Sequence, residues 1–337
     1  MKKLAKFFSL GAVLLLIVLL FGGYAAASGH LQTEYSFDPG NLEFPEGITI
    51  DKVGNMHVSL GPPFWFGGGF GEIWKISPDG TITTLVQFPG GPGPAGLAVD
   101  APGNLYFAYP TGDISTNGVY LLPKSGEPVR LPGTEKIGLA NGLAFDKQGD
   151  IYVSDSFGGA VWRIPLDGSG EAEIWYKDEN EWLLGCGDVP VGANGIAYRQ
   201  GSFYVANTSL GMLLEIPVLD DGSHGTAQIV AGDPDCDPLN DELFSMDGIA
   251  MDVHGDIYAL LVIQNKLVKI NPDDGSFTTL LTEADGLHNP TSIAFGTGKG
   301  ARQRVFFTNY ALFPGSTSSL GPAVLSLDVE VPGQPLP

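Results

Sequence analysis

The sequence predicts an all-β protein, a six-bladed β-propeller of four-stranded antiparallel blades. Three observations carry this expectation. A short core recurs six times, at residues 46–51 (EGITID), 95–100 (AGLAVD), 141–146 (NGLAFD), 194–198 (NGIAY), 247–252 (DGIAMD) and 291–295 (TSIAF). Successive copies begin 44 to 53 residues apart, a period that belongs to propellers or helical arrays. Each copy leads into Gly, Asp and Asn turns separating runs rich in β-branched and aromatic residues, and no stretch of the mature chain sustains the 3.6-residue apolar period that helical repeats need.

The elements follow in chain order. Lys2, Lys3 and Lys6 precede an apolar run over residues 7–24 and the small residues 25–28 (AAAS). This is the pattern of a secretory signal peptide over residues 1–27; an uncleaved single-helix anchor is the alternative, since the run is nearly long enough to span a bilayer. Residues 31–337 form the expected single propeller domain. Within each unit the inner strand is followed by a Gly turn such as 52–55 (KVGN) or 147–150 (KQGD), then a second strand such as 151–154 (IYVS). After a variable loop come a third strand (71–76, GEIWKI; 160–164, AVWRI; 266–270, KLVKI), a turn such as 77–80 (SPDG), and a fourth run such as 81–86 (TITTLV). Four short strands joined this way make a propeller blade. The last unit ends at 323–329 (AVLSLDV) with three clear strands, so residues 31–37 (LQTEYSF), left over before the first unit, are expected to supply its fourth. Closing the ring this way removes an open sheet edge.

The formal charge is −21, and loss of the three leader lysines takes it to about −24. Such a field repels nucleic acid and anionic membranes and concentrates cations, although solubility outside the cell alone accounts for an acidic surface. The expected partner is therefore a small molecule, with no nucleic acid and no membrane contact beyond the possible N-terminal anchor. Export places Cys186 and Cys236 in an oxidising compartment, where a disulfide is the expected state and two free thiols the alternative. They precede Asn194 by eight residues and Asp247 by eleven, in loops of neighbouring blades on one face, so a bridge would pin both loops and add about 2–4 kcal/mol.

The residue opening each inner strand is Glu46, Ala95, Asn141, Asn194, Asp247 or Thr291. Ring symmetry turns these equivalent positions into neighbours around one axis, at the mouth of the central channel. Two carboxylates and two amide oxygens suit Ca²⁺, which accepts six to eight oxygens in flexible geometry; another divalent cation fits less specifically. Against this, Asn and Asp are common wherever a turn runs into a strand. On the same face, the loop 61–70 (GPPFWFGGGF) carries Phe64, Trp65, Phe66 and Phe70, and the sixth unit adds Tyr310. These aromatics are candidates for a substrate wall favouring an apolar or aromatic substrate, or for plain packing. Residues 233–237 (DPDCD) begin like an EF-hand loop, but Pro238 stands at the required Gly and Phe244 at the bidentate Glu, so they are read as a solvated acidic loop.

The openings Pro45-Glu46-Gly47, Asn141-Gly142, Asn194-Gly195 and Asp247-Gly248 resemble those of the senescence-marker-protein/gluconolactonase (regucalcin-like) family and its relatives, the paraoxonases and the squid-type diisopropylfluorophosphatase, over essentially the whole mature chain. The resemblance implies a six-bladed propeller whose catalytic Ca²⁺ is held by one Glu, two Asn and one Asp in this blade order, which are Glu46, Asn141, Asn194 and Asp247 here. It implies a calcium-dependent hydrolase of lactones or related esters, with Asp247 doubling as base or nucleophile, although a metal-bound carboxylate is a weak base. His288 is the other candidate base, because paraoxonase-like relatives carry a functional His near this place. It stands three residues before Thr291, one step off their position, and an ordinary loop His needs no role. The individual repeats are equally similar to NHL-type repeats. A non-enzymatic propeller that binds a protein or glycan and carries a structural cation is thus one alternative, and a strictosidine-synthase-like or lyase-like enzyme is another.

Overall fold

The computed structural model describes residues 30–336 except 64–65, 67–68, 188–189, 238–240 and 314–318. The expected leader at 1–27 and two of the proposed wall residues, Phe64 and Trp65, lie outside the described residues. The expected architecture is observed: six antiparallel sheets of four strands each. Their inner strands are Pro45–Ile50, Leu97–Val99, Ala140–Phe145, Ala193–Arg199, Met246–Met251 and Pro290–Phe295. Each inner strand packs beside the next, and the first packs beside the sixth, which closes the ring.

Closure uses the strand left over in the sequence count. Gln32–Ser36 pairs antiparallel with Ala323–Asp328, setting Gln32 opposite Ser326 and Ser36 opposite Ala323. The sixth blade is therefore built from both ends of the described chain, and its edge is covered. Apolar side chains from the facing sides of neighbouring blades gather into six clusters among the described residues, one for each blade-to-blade interface. The sixth-to-first cluster includes Phe37, Ile48, Val58, Phe306 and Val324, so the packing at this interface also draws on the N-terminal segment.

The Asp that ends several copies of the core builds the turn on the face opposite the mouth. Asp146 Oδ1 accepts the backbone N–H groups of Gln148, Gly149 and Asp150, and Asp252 Oδ1 those of His254, Gly255 and Asp256. Asp51 accepts from Val53 and Asn55 in the same way. These carboxylates replace missing backbone partners in a tight turn, which is why the motif ends in Asp far from any candidate chemistry.

Candidate functional site at the channel mouth

In five blades the pairing of the first and second strands slips where the inner strand begins, between Pro45 and Ile48, Ala140 and Leu143, Ala193 and Ile196, Met246 and Ile249, and Pro290 and Ile293. The two residues inside each slip are the ring residue and the one after it, usually Gly. A bulge re-aims side chains out of the pleat, and here it turns Glu46, Asn141, Asn194, Asp247 and Thr291 into one chamber on the axis. The following Gly is required by close approach. A Cβ at Gly47 would collide with the carbonyl oxygen of Ala95, and one at Gly195 with that of Asp247, the ring residue of the next blade in each case. In the sixth blade Ser292 replaces the Gly, and its Oγ accepts the Ile48 N–H at 3.2 Å.

The chamber has a volume of about 80 Å³, room for an ion and a few waters rather than an organic substrate. Beneath the polar ring, Ile48, Leu97, Leu143, Ile196, Ile249 and Ile293 line it as an apolar layer. No Lys, Arg or His is among the lining residues. Asp247 is 9% exposed and Asn194 5%, while Glu46 keeps some surface that faces the chamber. Burial pushes the Glu46 carboxyl up to about 7. Burial, and then the Glu46 charge, push Asp247 well above its ordinary value, with a hydrogen bond from Asn194 acting the other way. Two carboxylates thus share a buried site without a positive side chain among its lining residues to offset them. The donor set of two carboxylates and two amides is hard, oxygen-only and formally −2, which fits a divalent cation of the Ca²⁺ type. Among the described residues no group of three or more His, Cys, Asp or Glu gathers that could hold a metal, so a cation at the mouth would depend on the two Asn.

Other candidate residues separate. Tyr310 is buried, and its hydroxyl donates to the Gly61 carbonyl at 3.1 Å. Burial followed by the charges of Glu46 and Asp247 raises its phenol well above the ordinary value, which places it within electrostatic reach of the ring. It meets Phe44 edge-on at 6.1 Å between ring centroids. Phe66 is exposed and lies 6.0 Å from Phe313. Phe70 instead begins the third strand of the first blade and lines a separate cavity of about 280 Å³ with Leu42, Glu72 and Trp74. His288 is buried but does not line the chamber; its Nδ1 pairs with Ser319 Oγ at 3.1 Å, and burial lowers its pKa.

Cys186 and Cys236 form a disulfide with 6.1 Å between their Cα atoms, joining the loops that lead into the fourth and fifth inner strands, as expected. A structural disulfide belongs to an oxidising compartment. No helix among the described residues is long and apolar enough to cross a membrane.

Two hydroxyls outside the set expected from the sequence, those of Ser156 and Thr208, stand behind the ring. Asn141 Nδ2 donates to Ser156 Oγ at 3.2 Å, and Asn194 Nδ2 to Thr208 Oγ1 at 2.9 Å. The signal was present: among the equivalent positions Gly61, Pro110, Ser156, Thr208, Val262 and Tyr310, the aliphatic hydroxyls fall only in the two blades whose ring residue is Asn.

No protein-family model and no curated protein matches the sequence. By structure, the chain is similar to a gluconolactonase from Xanthomonas campestris, with 19% identity, a TM-score of 0.63 and coverage of 91% of this chain and 92% of that one. It is similar to a virginiamycin B lyase from Staphylococcus aureus, with 18% identity, a TM-score of 0.54 and coverage of 83% and 82%. It is also similar to an auxiliary nutrient binding protein from Bacteroides ovatus, with 11% identity, a TM-score of 0.65 and coverage of 89% and 76%. At these identities the likeness is one of fold: the chain is a six-bladed β-propeller whose structural neighbours include gluconolactonase-like proteins.

Proposed function

We propose that the protein is a calcium-dependent hydrolase of lactones or related esters, acting at the mouth of the channel. The observation that carries this reading is the convergence of Glu46, Asn141, Asn194 and Asp247 on one small buried chamber that no cationic side chain lines. Glu46 and Asp247 would hold the ion by charge, and Asn141 and Asn194 through their amide oxygens. A bound Ca²⁺ would supply a Lewis acid for a carbonyl oxygen. The second blade contributes Ala95, which offers no side-chain ligand, so a substrate carbonyl would complete the coordination of the ion. Because the chamber is too small for the substrate, its remainder would rest above the ring, against Tyr310, Phe66 and Phe313. Asp247 is the candidate to accept a proton from the attacking water, since His288 is not among the lining residues.

Among the lining residues the only bases are the proposed ligands Glu46 and Asp247, which favours one other reading, in which the cation is structural and the mouth binds a partner without chemistry. Hydrolysis of a panel of γ- and δ-lactones and aryl esters with Ca²⁺ or chelator separates the two. Turnover that appears with Ca²⁺ and disappears in Asp247→Ala supports the hydrolase. Stabilisation by Ca²⁺ with no turnover of any substrate supports the binding protein.

A further inference from the structure

The two amides of the ring differ from the two carboxylates in one chemical respect. A carboxylate presents an oxygen whichever way it is turned, whereas an amide presents either an oxygen or an NH₂ group. An Asn pointing NH₂ at the axis would repel a cation, so a cation-binding ring containing Asn needs something to fix the amide's orientation.

The structure supplies such a device behind each Asn and behind neither carboxylate. Ser156 Oγ donates its only proton to the Ala193 carbonyl at 2.6 Å, and Thr208 Oγ1 donates its proton to the Met246 carbonyl at 2.8 Å. Both hydroxyls are buried. With the proton committed, each oxygen can only accept from its Asn. The Asn141 and Asn194 amides therefore turn NH₂ toward the hydroxyl, Asn194 giving its other proton to the Asp247 carboxylate, and this leaves Oδ1 for the chamber. Turned the other way, Oδ1 would face a hydroxyl lone pair in a buried setting, leaving a donor unmade and two acceptors in contact. At the corresponding positions of the carboxylate blades stand Gly61 and Val262, which carry no side-chain polar atom. The carbonyls that take the protons belong to the residues just before Asn194 and Asp247, so each relay also ties one ring position to the next.

We propose that Ser156 and Thr208 are positioning residues that lock Asn141 and Asn194 with their carbonyl oxygens inward and so suit the ring to a cation. This rests on the cation reading above and specifies which residues outside the ring set its affinity. Partners that orient metal ligands are commonly worth 10- to 100-fold in affinity.

The test is calorimetric titration of Ca²⁺ into the metal-free full chain, with circular dichroism confirming that each variant is folded. Thr208→Val keeps the side-chain shape and removes the acceptor; Ser156→Ala removes the acceptor at the other relay and leaves only a small void. Each is expected to weaken Ca²⁺ binding about tenfold or more, and Thr208→Ser, which keeps the hydroxyl, to bind as the wild type does. A second comparison separates orientation from general loosening. In an Asn141→Asp background the side chain has two equivalent oxygens, so adding Ser156→Ala should leave affinity unchanged or raise it. Equal affinity for Thr208→Val, Ser156→Ala and wild type overturns the positioning role while leaving the cation site standing. An equal loss from Ser156→Ala in the wild-type and Asn141→Asp backgrounds overturns it as well, because the hydroxyl would then act on packing alone. No saturable binding by the wild type overturns the cation reading, and this inference with it.

Discussion

Replacing Glu46 with Gln offers a quantitative test of the charge arrangement at the mouth. In the folded, metal-free protein burial lifts the Glu46 carboxyl from 4.5 to about 7. Below about pH 4.5 the group is protonated in both folded and unfolded chains and contributes no pH dependence. Between about pH 4.5 and 7 the unfolded chain releases a proton that the folded chain retains, so stability falls as pH rises; above about 7 the penalty is constant. At 1.36 kcal/mol per pH unit this amounts to about 3 kcal/mol. Relief of the Glu46 charge on Asp247 acts in the same direction. Glu46→Gln should therefore stabilise the chelator-treated protein by about 3 kcal/mol at pH 8, which is about 5 °C in Tm for a domain of this size, and should leave it unchanged at pH 4. In millimolar Ca²⁺ the order should reverse, because Gln offers a neutral ligand where the ion needs a charge. The assay is thermal unfolding at both pH values with chelator and with Ca²⁺. A Glu46→Gln protein no more stable than wild type at pH 8 in chelator would refute the account of Glu46 as a buried charge awaiting a counter-ion.

Three further outcomes follow from the same geometry. Gly195→Ala should destabilise the fold by about 2 kcal/mol or more and abolish Ca²⁺-induced stabilisation, since its Cβ would strike the Asp247 carbonyl; urea unfolding with and without Ca²⁺ measures both. Cys186→Ser with Cys236→Ser, which opens a crosslink spanning 50 residues, should lower stability by about 4 kcal/mol, and reductant should bring the wild type to the same Tm. If the mouth hydrolyses aryl esters with the substrate resting against this pair, Phe66→Ala with Phe313→Ala should raise KM severalfold with little change in kcat, because the two rings meet each other and do not line the chamber; steady-state kinetics on an aryl and a short-chain ester checks this.

The fold was legible because each repeat encodes its own close approach. The Gly after five of the six ring residues recurs because the next blade's carbonyl leaves no room for a Cβ, and the terminal Asp recurs because the turn needs its oxygens. A periodic steric demand leaves a periodic trace, and the missing fourth strand of the last unit pointed to residues 31–37 by simple count. Symmetry also brought Glu46, Asn141, Asn194 and Asp247 to one axis before any coordinates. Loops do not inherit that symmetry, which is why Phe70, read as part of a wall with Phe66, lines a different cavity, and why His288, three residues from Thr291, pairs with Ser319 and does not line the chamber. Ser156 and Thr208 were missed for another reason. They lie 15 and 14 residues beyond their Asn partners, across a turn and a whole strand, and only the pairing register shows that they meet.

The central claim is that a divalent cation sits on the axis among Glu46, Asn141, Asn194 and Asp247. The most direct measurement is an anomalous difference map from crystals grown with Ca²⁺. The account predicts a single strong peak on the channel axis within ligand distance, about 2.3–2.6 Å, of oxygens from all four side chains. A chamber without a peak at saturating Ca²⁺, or a peak held by other residues, would contradict it.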